Sequence, residues 1–215
     1  MVTKIFDGLH GFIWQDNRQN NCNTFLIDAG KRILIDPGHS HLFGHVEQAL
    51  LSLKIDPRSI DLILITHAHP DHMEAALLFK KPTMLTMSRT DFAYLKELAG
   101  DYYKIPEPDF FLQAGELEVG DLQFEVIETP GHTPGSICLY WPKQGALFTG
   151  DLAFDQGIGR TDLPGGSGKQ LKESITRVEA LQAQYLLPGH GGVVSGAKAV
   201  SDNFRQIRDY WFRYL

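Results

Sequence analysis

Leu62-Ile63-Leu64-Ile65, followed at once by Thr66-His67-Ala68-His69-Pro70-Asp71-His72, decides how the rest of the chain is read. Four aliphatic residues in a row mark a buried strand. Three histidines and an aspartate within six residues make a poor core and a good cage for a cation. The cage therefore sits where a strand ends, which is where open α/β sheets hold their ligands. Imidazole and carboxylate together suit zinc and other divalent transition metals.

The same arrangement recurs three times further on. The strand-like Leu122–Glu128 leads into Thr129-Pro130-Gly131-His132-Thr133-Pro134-Gly135. Ala146-Leu147-Phe148 leads into Thr149-Gly150-Asp151, and Tyr185-Leu186-Leu187 into Pro188-Gly189-His190-Gly191-Gly192. Each is an apolar run, a glycine-bearing turn and then a His or Asp. The candidate ligands are His67, His69, Asp71, His72, His132, Asp151 and His190. That set is enough for one or two ions, and a satisfied core histidine or helix cap does not account for the same motif at four strand ends.

These motifs, H-x-H-x-D-H at 67–72, G-H-T-P-G at 131–135, T-G-D at 149–151 and P-G-H-G at 188–191, resemble those of the metallo-β-lactamase superfamily. Their order and spread cover roughly residues 20 to 192. The segment Gly157-Ile158-Gly159-Arg160-Thr161-Asp162-Leu163-Pro164-Gly165-Gly166 is similar to the glyoxalase II-like branch. That branch comprises hydroxyacylglutathione hydrolases and their short bacterial relatives, and the segment is also similar to persulfide dioxygenases. The resemblance implies an α/β fold, a four-layer αββα sandwich. It implies one ion on His67, His69 and His132, and a second on Asp71, His72 and His190, with Asp151 bridging.

The chemistry of such a pair is hydrolytic. His67 and His69, two apart in an extended turn, point to one side. A bridging carboxylate offsets the repulsion between two close cations. Water held between them loses a proton near neutral pH and becomes the nucleophile. Asp71 and Asp151 would take part directly, and no protein nucleophile is required. The expected ions are two divalent metals, zinc first, with iron or manganese as alternatives. By resemblance Arg160 would contact the carboxylate of an anionic thioester, for which a guanidinium is well shaped. The alternative role for Arg160 is to order its loop by pairing with Asp155 or Asp162.

Two departures from full-length glyoxalase II bear on glutathione recognition. Only 25 residues follow His190, and Asp162 stands where an aromatic contact is expected. The competing assignments are a mononuclear iron persulfide dioxygenase and, from a different class, a metal-binding module without activity. Asp36, ending a strand before Pro37-Gly38, is a candidate partner for a ligand histidine or a simple turn residue. His39, His41 and His45 resemble a metal tract and are read as a loop and helix start, either solvated or near the rim of the pocket.

Composition sets the outer bounds. The 215 residues suit one domain over 1–215, with 43% hydrophobic and 21% charged residues. A net charge of −6 disfavours a nucleic-acid partner. No apolar stretch approaches the ~20 residues that cross a bilayer, and Met1–Gly8 lacks the apolar centre of a signal peptide. A cytoplasmic enzyme acting on a small molecule is expected. Cys22 and Cys138 read as reduced, packed thiols.

Periodicity supplies the elements. Thr24–Asp28 and Arg32–Asp36 flank a hairpin turn; Leu62–Ile65, Met84–Met87, Leu122–Glu128, Ser136–Trp141 and Ala146–Thr149 read as further strands. Helical spacing covers His41–Lys54, Met73–Lys81, Thr90–Leu98, Ser167–Ala183 and Gly196–Tyr214. The last places Val200, Phe204, Ile207 and Trp211 on one core-facing stripe.

Overall fold

A computed structural model describes residues 2–100 and 104–215. Seven strands form the first sheet in chain order: β1 (Val2–Phe6), β2 (Leu9–Phe12), β3 (Thr24–Asp28), β4 (Arg32–Ile35), β5 (Leu62–Leu64), β6 (Met84–Ser88) and β7 (Phe110–Leu112). The second has six, β8 (Gly115–Val119), β9 (Leu122–Glu128), β10 (Ile137–Trp141), β11 (Ala146–Gly150), β14 (Tyr185–Pro188) and β15 (Val194–Ser195), in the order β15-β14-β11-β10-β9-β8. Between β11 and β14 a small ribbon pairs β12 (Ala153–Phe154) with β13 (Gly157–Ile158).

Alternation along β9 explains the layering. Leu122, Phe124 and Val126 are buried while Gln123 and Glu125 are exposed, and the buried three join the core between the sheets. That core also takes Phe25, Ile33, Ile35 and Leu64 from the first sheet and Leu139 and Phe148 from the second. Phe25 meets Phe148 edge to face across it, ring centroids 5.5 Å apart. Each such side chain contributes about 1.5–3 kcal/mol by burial. The central β5 and β11 are buried throughout, as strands covered on both faces must be.

Helices close the outer faces. α1 (Gly44–Ser52) turns Val46, Ala49 and Leu50 onto the first sheet with Leu26, Leu34 and Ile63. α3 (Arg89–Ala99) starts at Ser88, whose hydroxyl accepts from Asp91 N. On the other side, α4 (Gly168–Glu179) and α5 (Ala197–Trp211) bury Leu171, Ile175, Val178, Val200, Phe204 and Ile207 against Cys138, Leu147 and Leu186. This is the αββα sandwich expected from the sequence.

Strand direction gathers the site. β4, β5 and β6 run parallel. In the second sheet β11 and β14 are parallel, and β9 is aligned with them because both β9 and β11 oppose β10. The carboxyl ends on each sheet thus share one edge, and Ile137 N donates to Thr66 O across the two sheets at 3.0 Å.

Two helices begin elsewhere than periodicity suggests. The tract expected as one helix over 41–54 is a 3-10 turn, Ser40–Leu42, and then α1. The helix expected over 73–81 starts earlier, as α2 (Pro70–Met73), and tightens into a 3-10 turn over Glu74–Leu78. Proline favours the first helical position because it has no N–H to leave unbonded, so Pro70 draws Asp71 and His72 into the first turn.

Candidate metal centre

All seven sequence-predicted donors meet at the shared sheet edge. His69 Nδ1 lies 3.1 Å from His67 Nε2 and 2.8 Å from His132 Nε2. His190 Nε2 lies 3.4 Å from His72 Nε2 and 3.4 Å from Asp71 Oδ2. Asp151 stands between these groups. Its Oδ2 is 3.5 Å from His132 Nε2 and 3.4 Å from His190 Nε2, and its Oδ1 is 3.2 Å from His72 Nε2. Donor atoms of His67, His69 and His132, and separately those of Asp71, His72 and His190, lie within 4.8 Å of one another.

The outer nitrogens of three imidazoles are committed elsewhere. His72 Nδ1 donates to Asp36 Oδ2 at 2.9 Å. His132 Nδ1 donates to the Arg160 carbonyl at 2.7 Å. Thr66 Oγ1 donates to Asp36 Oδ2 at 2.6 Å and so faces His67 Nδ1, 3.2 Å away, as an acceptor. These partners select the tautomer that turns an unprotonated Nε2 inward. The inward nitrogens of His67 and His132 then both turn lone pairs toward His69 Nδ1, which has at most one proton to offer, and Asp151 Oδ1 is buried without a hydrogen-bond donor. A cation supplies what this cluster lacks, so the donor set fits one.

Asp36 therefore hydrogen-bonds His72, one of the candidate ligands, besides standing at the turn. Its φ is +50°, a left-handed conformation that Asp tolerates better than most residues. Thr66 N also donates to its Oδ1 at 2.8 Å.

Sequence reasoning missed three residues here. Asp91, fully buried on α3, accepts from Ala68 N at 2.7 Å, Thr133 Oγ1 at 2.8 Å and Gly135 N at 2.7 Å. It joins the loop of His67 and His69 to the loop of His132. Its only sequence signal is the Ser88-x-x-Asp91 spacing of a helix start. Asn20 donates to Asp71 Oδ2 at 2.8 Å. Asn23 donates through Nδ2 to the carbonyls of Pro188 and Gly191, and through its backbone N to that of Gly189. Gly189 is required by close approach: a Cβ there would lie 2.4 Å from Asp151 Oδ1 and 2.6 Å from His72 Cε1.

Of the two arrangements expected for Arg160, the structure shows the pairing with Asp162. Its guanidinium donates to both carboxylate oxygens of Asp162, at 2.9 and 2.8 Å, and both side chains are exposed. The pair holds the Asp162 carboxyl down at about 2. Arg160 still borders a cleft of about 370 Å³ with His69, Asp71, His132, Asp151, Phe154 and His190. A depression of about 730 Å³ between Phe43, Arg58, Leu78 and Pro82 holds none of the seven donors. Cys22 and Cys138 are buried and reduced, and burial pushes the Cys138 thiol up to about 12.

Without a metal the imidazoles divide electrostatically. Burial, then the nearby His132, holds His69 down at about 4. Burial also disfavours the charged form of His190, but its hydrogen bonds to Asp151 and Asp71 outweigh this and raise it to about 9. A raised histidine stabilises the fold fully below its unfolded value of about 6.5 and ceases to do so as pH rises through about 9. The thermal midpoint of the chelator-treated chain should therefore fall between pH 7 and 9.5. His190→Ala should flatten that slope, and an equally steep slope in the variant would exclude this origin.

Two mixed sheets face to face, helices outside and a His/Asp cradle at the strand ends define the sandwich of a metallo-hydrolase. The chain belongs to the metallo-β-lactamase superfamily, whose family profile matches residues 17–190. It is 36% identical over 185 residues to a probable metallo-hydrolase of Methanocaldococcus jannaschii, covering 80% of this chain and 88% of that one. It is 34% identical over 190 residues to the hydroxyacylglutathione hydrolase GloC of Haemophilus influenzae, covering 80% and 86%. Among solved structures, TTHA1623 in a di-iron-bound form superposes with a TM-score of 0.68 at 29% identity, over 89% of this chain and 96% of that one. The fold binds metal ions, often two, and no helix among the described residues is long and apolar enough to cross a membrane.

Proposed function

We propose that the protein is a dinuclear metal-dependent hydrolase of small anionic thioesters, similar in activity to hydroxyacylglutathione hydrolases. The observation that carries this reading is the pair of donor triads sharing Asp151. His67, His69 and His132 would hold one ion, and Asp71, His72 and His190 the other, with Asp151 between them. The ions, zinc in the first instance, supply Lewis acidity and a nucleophile at neutral pH. Asp36, Thr66 and the Arg160 carbonyl keep His72, His67 and His132 in the ligating tautomer. Asn20 aims Asp71. Phe154 and Ile158 line one side of the cleft and exclude water from the scissile group. The 34% identity to GloC supports a thioester as substrate, because a thiolate leaves readily.

Purified protein given excess zinc should retain two ions at this centre and hydrolyse S-lactoylglutathione without consuming oxygen. Oxygen uptake with glutathione persulfide, and no thioester turnover, would replace this reading by the iron dioxygenase.

In this reading Arg160 exchanges Asp162 for a substrate carboxylate. Arg160→Ala should then raise KM for an anionic thioester on the order of tenfold, the low end for a charged hydrogen bond because the site is exposed. The effect on kcat should be smaller, since the contact acts on ground and transition states alike. Arg160→Lys should recover only part, lacking the two-pronged contact. Equal losses for charged and neutral thioesters would assign Arg160 to loop ordering through Asp162 instead.

A further inference from the structure

We propose that His39, His41 and Glu74 form a third, peripheral site for a divalent transition metal ion, separate from the seven-donor centre. One nitrogen from each histidine and one oxygen from Glu74 lie within 4.8 Å of one another. The three residues come from two segments, the loop after β4 and the turn after α2. His39 Nδ1 and Glu74 Oε2 are already 3.1 Å apart, and the two imidazole rings are 5.0 Å apart, centroid to centroid. With ion–ligand distances of about 2.0–2.2 Å, two donors on one zinc lie about 3–4 Å apart. The His39–Glu74 contact has that separation, and His41, which is exposed, has room to swing the remaining distance.

The carboxylate is held in place. Ser40 N donates to Glu74 Oε2 at 2.9 Å, and Ser40 Oγ donates to the Glu74 carbonyl at 2.9 Å. The backbone between the segments is also stitched, with Gly38 N donating to His72 O at 3.1 Å and Ala75 N to Gly38 O at 2.7 Å. Two imidazoles and one carboxylate select zinc, nickel or copper over magnesium or calcium, which prefer all-oxygen shells. Three protein donors leave at least one position open to water.

An ion here would clasp the loop leaving Asp36 to the residue two beyond His72. Occupancy would stabilise the fold by linkage, rising with free metal above the dissociation constant.

The test compares wild type with His41→Ala, an exposed position outside the inner centre. Both are loaded with excess zinc, freed of loose metal by gel filtration, and measured for zinc per chain and thermal midpoint. Wild type should carry one equivalent more than His41→Ala and than His39→Ala. Further zinc should raise its midpoint and leave that of the variants unchanged. The difference is read whatever number of ions the inner centre holds, so it stands apart from the dinuclear assignment. Equal zinc content in wild type and His41→Ala, or a midpoint rise that persists in the variant, would overturn the third site.

Discussion

Asp151→Ala is expected to abolish turnover and to lower the zinc content of the purified protein from two ions to one or none. Asp151 lies within 3.5 Å of nitrogens from both triads, His132 on one side and His72 and His190 on the other. In the dinuclear reading its removal would take away a ligand from each ion and the negative charge between the two cations. Outer partners of metal ligands cost about 10–100-fold when mutated; a shared inner ligand should cost on the order of 10³-fold or more. Asp151→Asn keeps the volume and removes the charge, so it separates electrostatics from packing and should behave like the alanine variant. Two retained zinc ions in Asp151→Asn with activity near wild type would remove the bridging role.

The second large effect is expected at Asp91, which touches no candidate ligand side chain. Its carboxylate accepts from Ala68 N, Thr133 Oγ1 and Gly135 N inside the protein. Burial pushes the carboxyl up, against those three bonds. Asp91→Ala strands three buried donors, each costing about 1–3 kcal/mol and not fully additive, so a loss of about 3–5 kcal/mol is expected. Urea unfolding of the metal-free chain measures it. The same change releases the His67–His69 loop from the His132 loop, so zinc affinity should weaken about 10–100-fold. Asp91→Asn should fall between, because its amide group presents donors to donors. Unchanged stability in Asp91→Ala would contradict the clasp, while lost stability with unchanged zinc affinity would confine Asp91 to folding.

The clustering of the seven donors was legible because they follow apolar runs, and parallel strands bring such ends to one edge. The sandwich was legible for a similar reason: β9 alternates cleanly, and α4 and α5 each carry one apolar stripe. Of the supporting residues only Asp36 was legible, from its place at a strand end. Asp91 lies far from both loops it joins, and its spacing from Ser88 spells a helix start. Asn20 and Asn23 sit in a polar run with no periodicity. The hairpin of β1 and β2 and the strands β7 and β8 also escaped, being short and partly exposed, with Thr3, Lys4, Gly115, Glu116 and Glu118 facing solvent. Arg160 shows a different limit. Its sequence position allowed either a free guanidinium or a paired one, and the choice rests on how the chain bends between Gly159 and Asp162.

Asn23 ties the site to a segment made much later. It binds Pro188, Gly189 and Gly191, some 165 positions later, so the loop carrying His190 is anchored by a residue made long before it. A nascent chain extended just past His132 already carries one complete set of three imidazoles. The last imidazole follows roughly 60 residues later, which is about 3–12 s at ordinary rates of translation. On the dinuclear reading the second triad is therefore complete only once His190 has been made, long after the first.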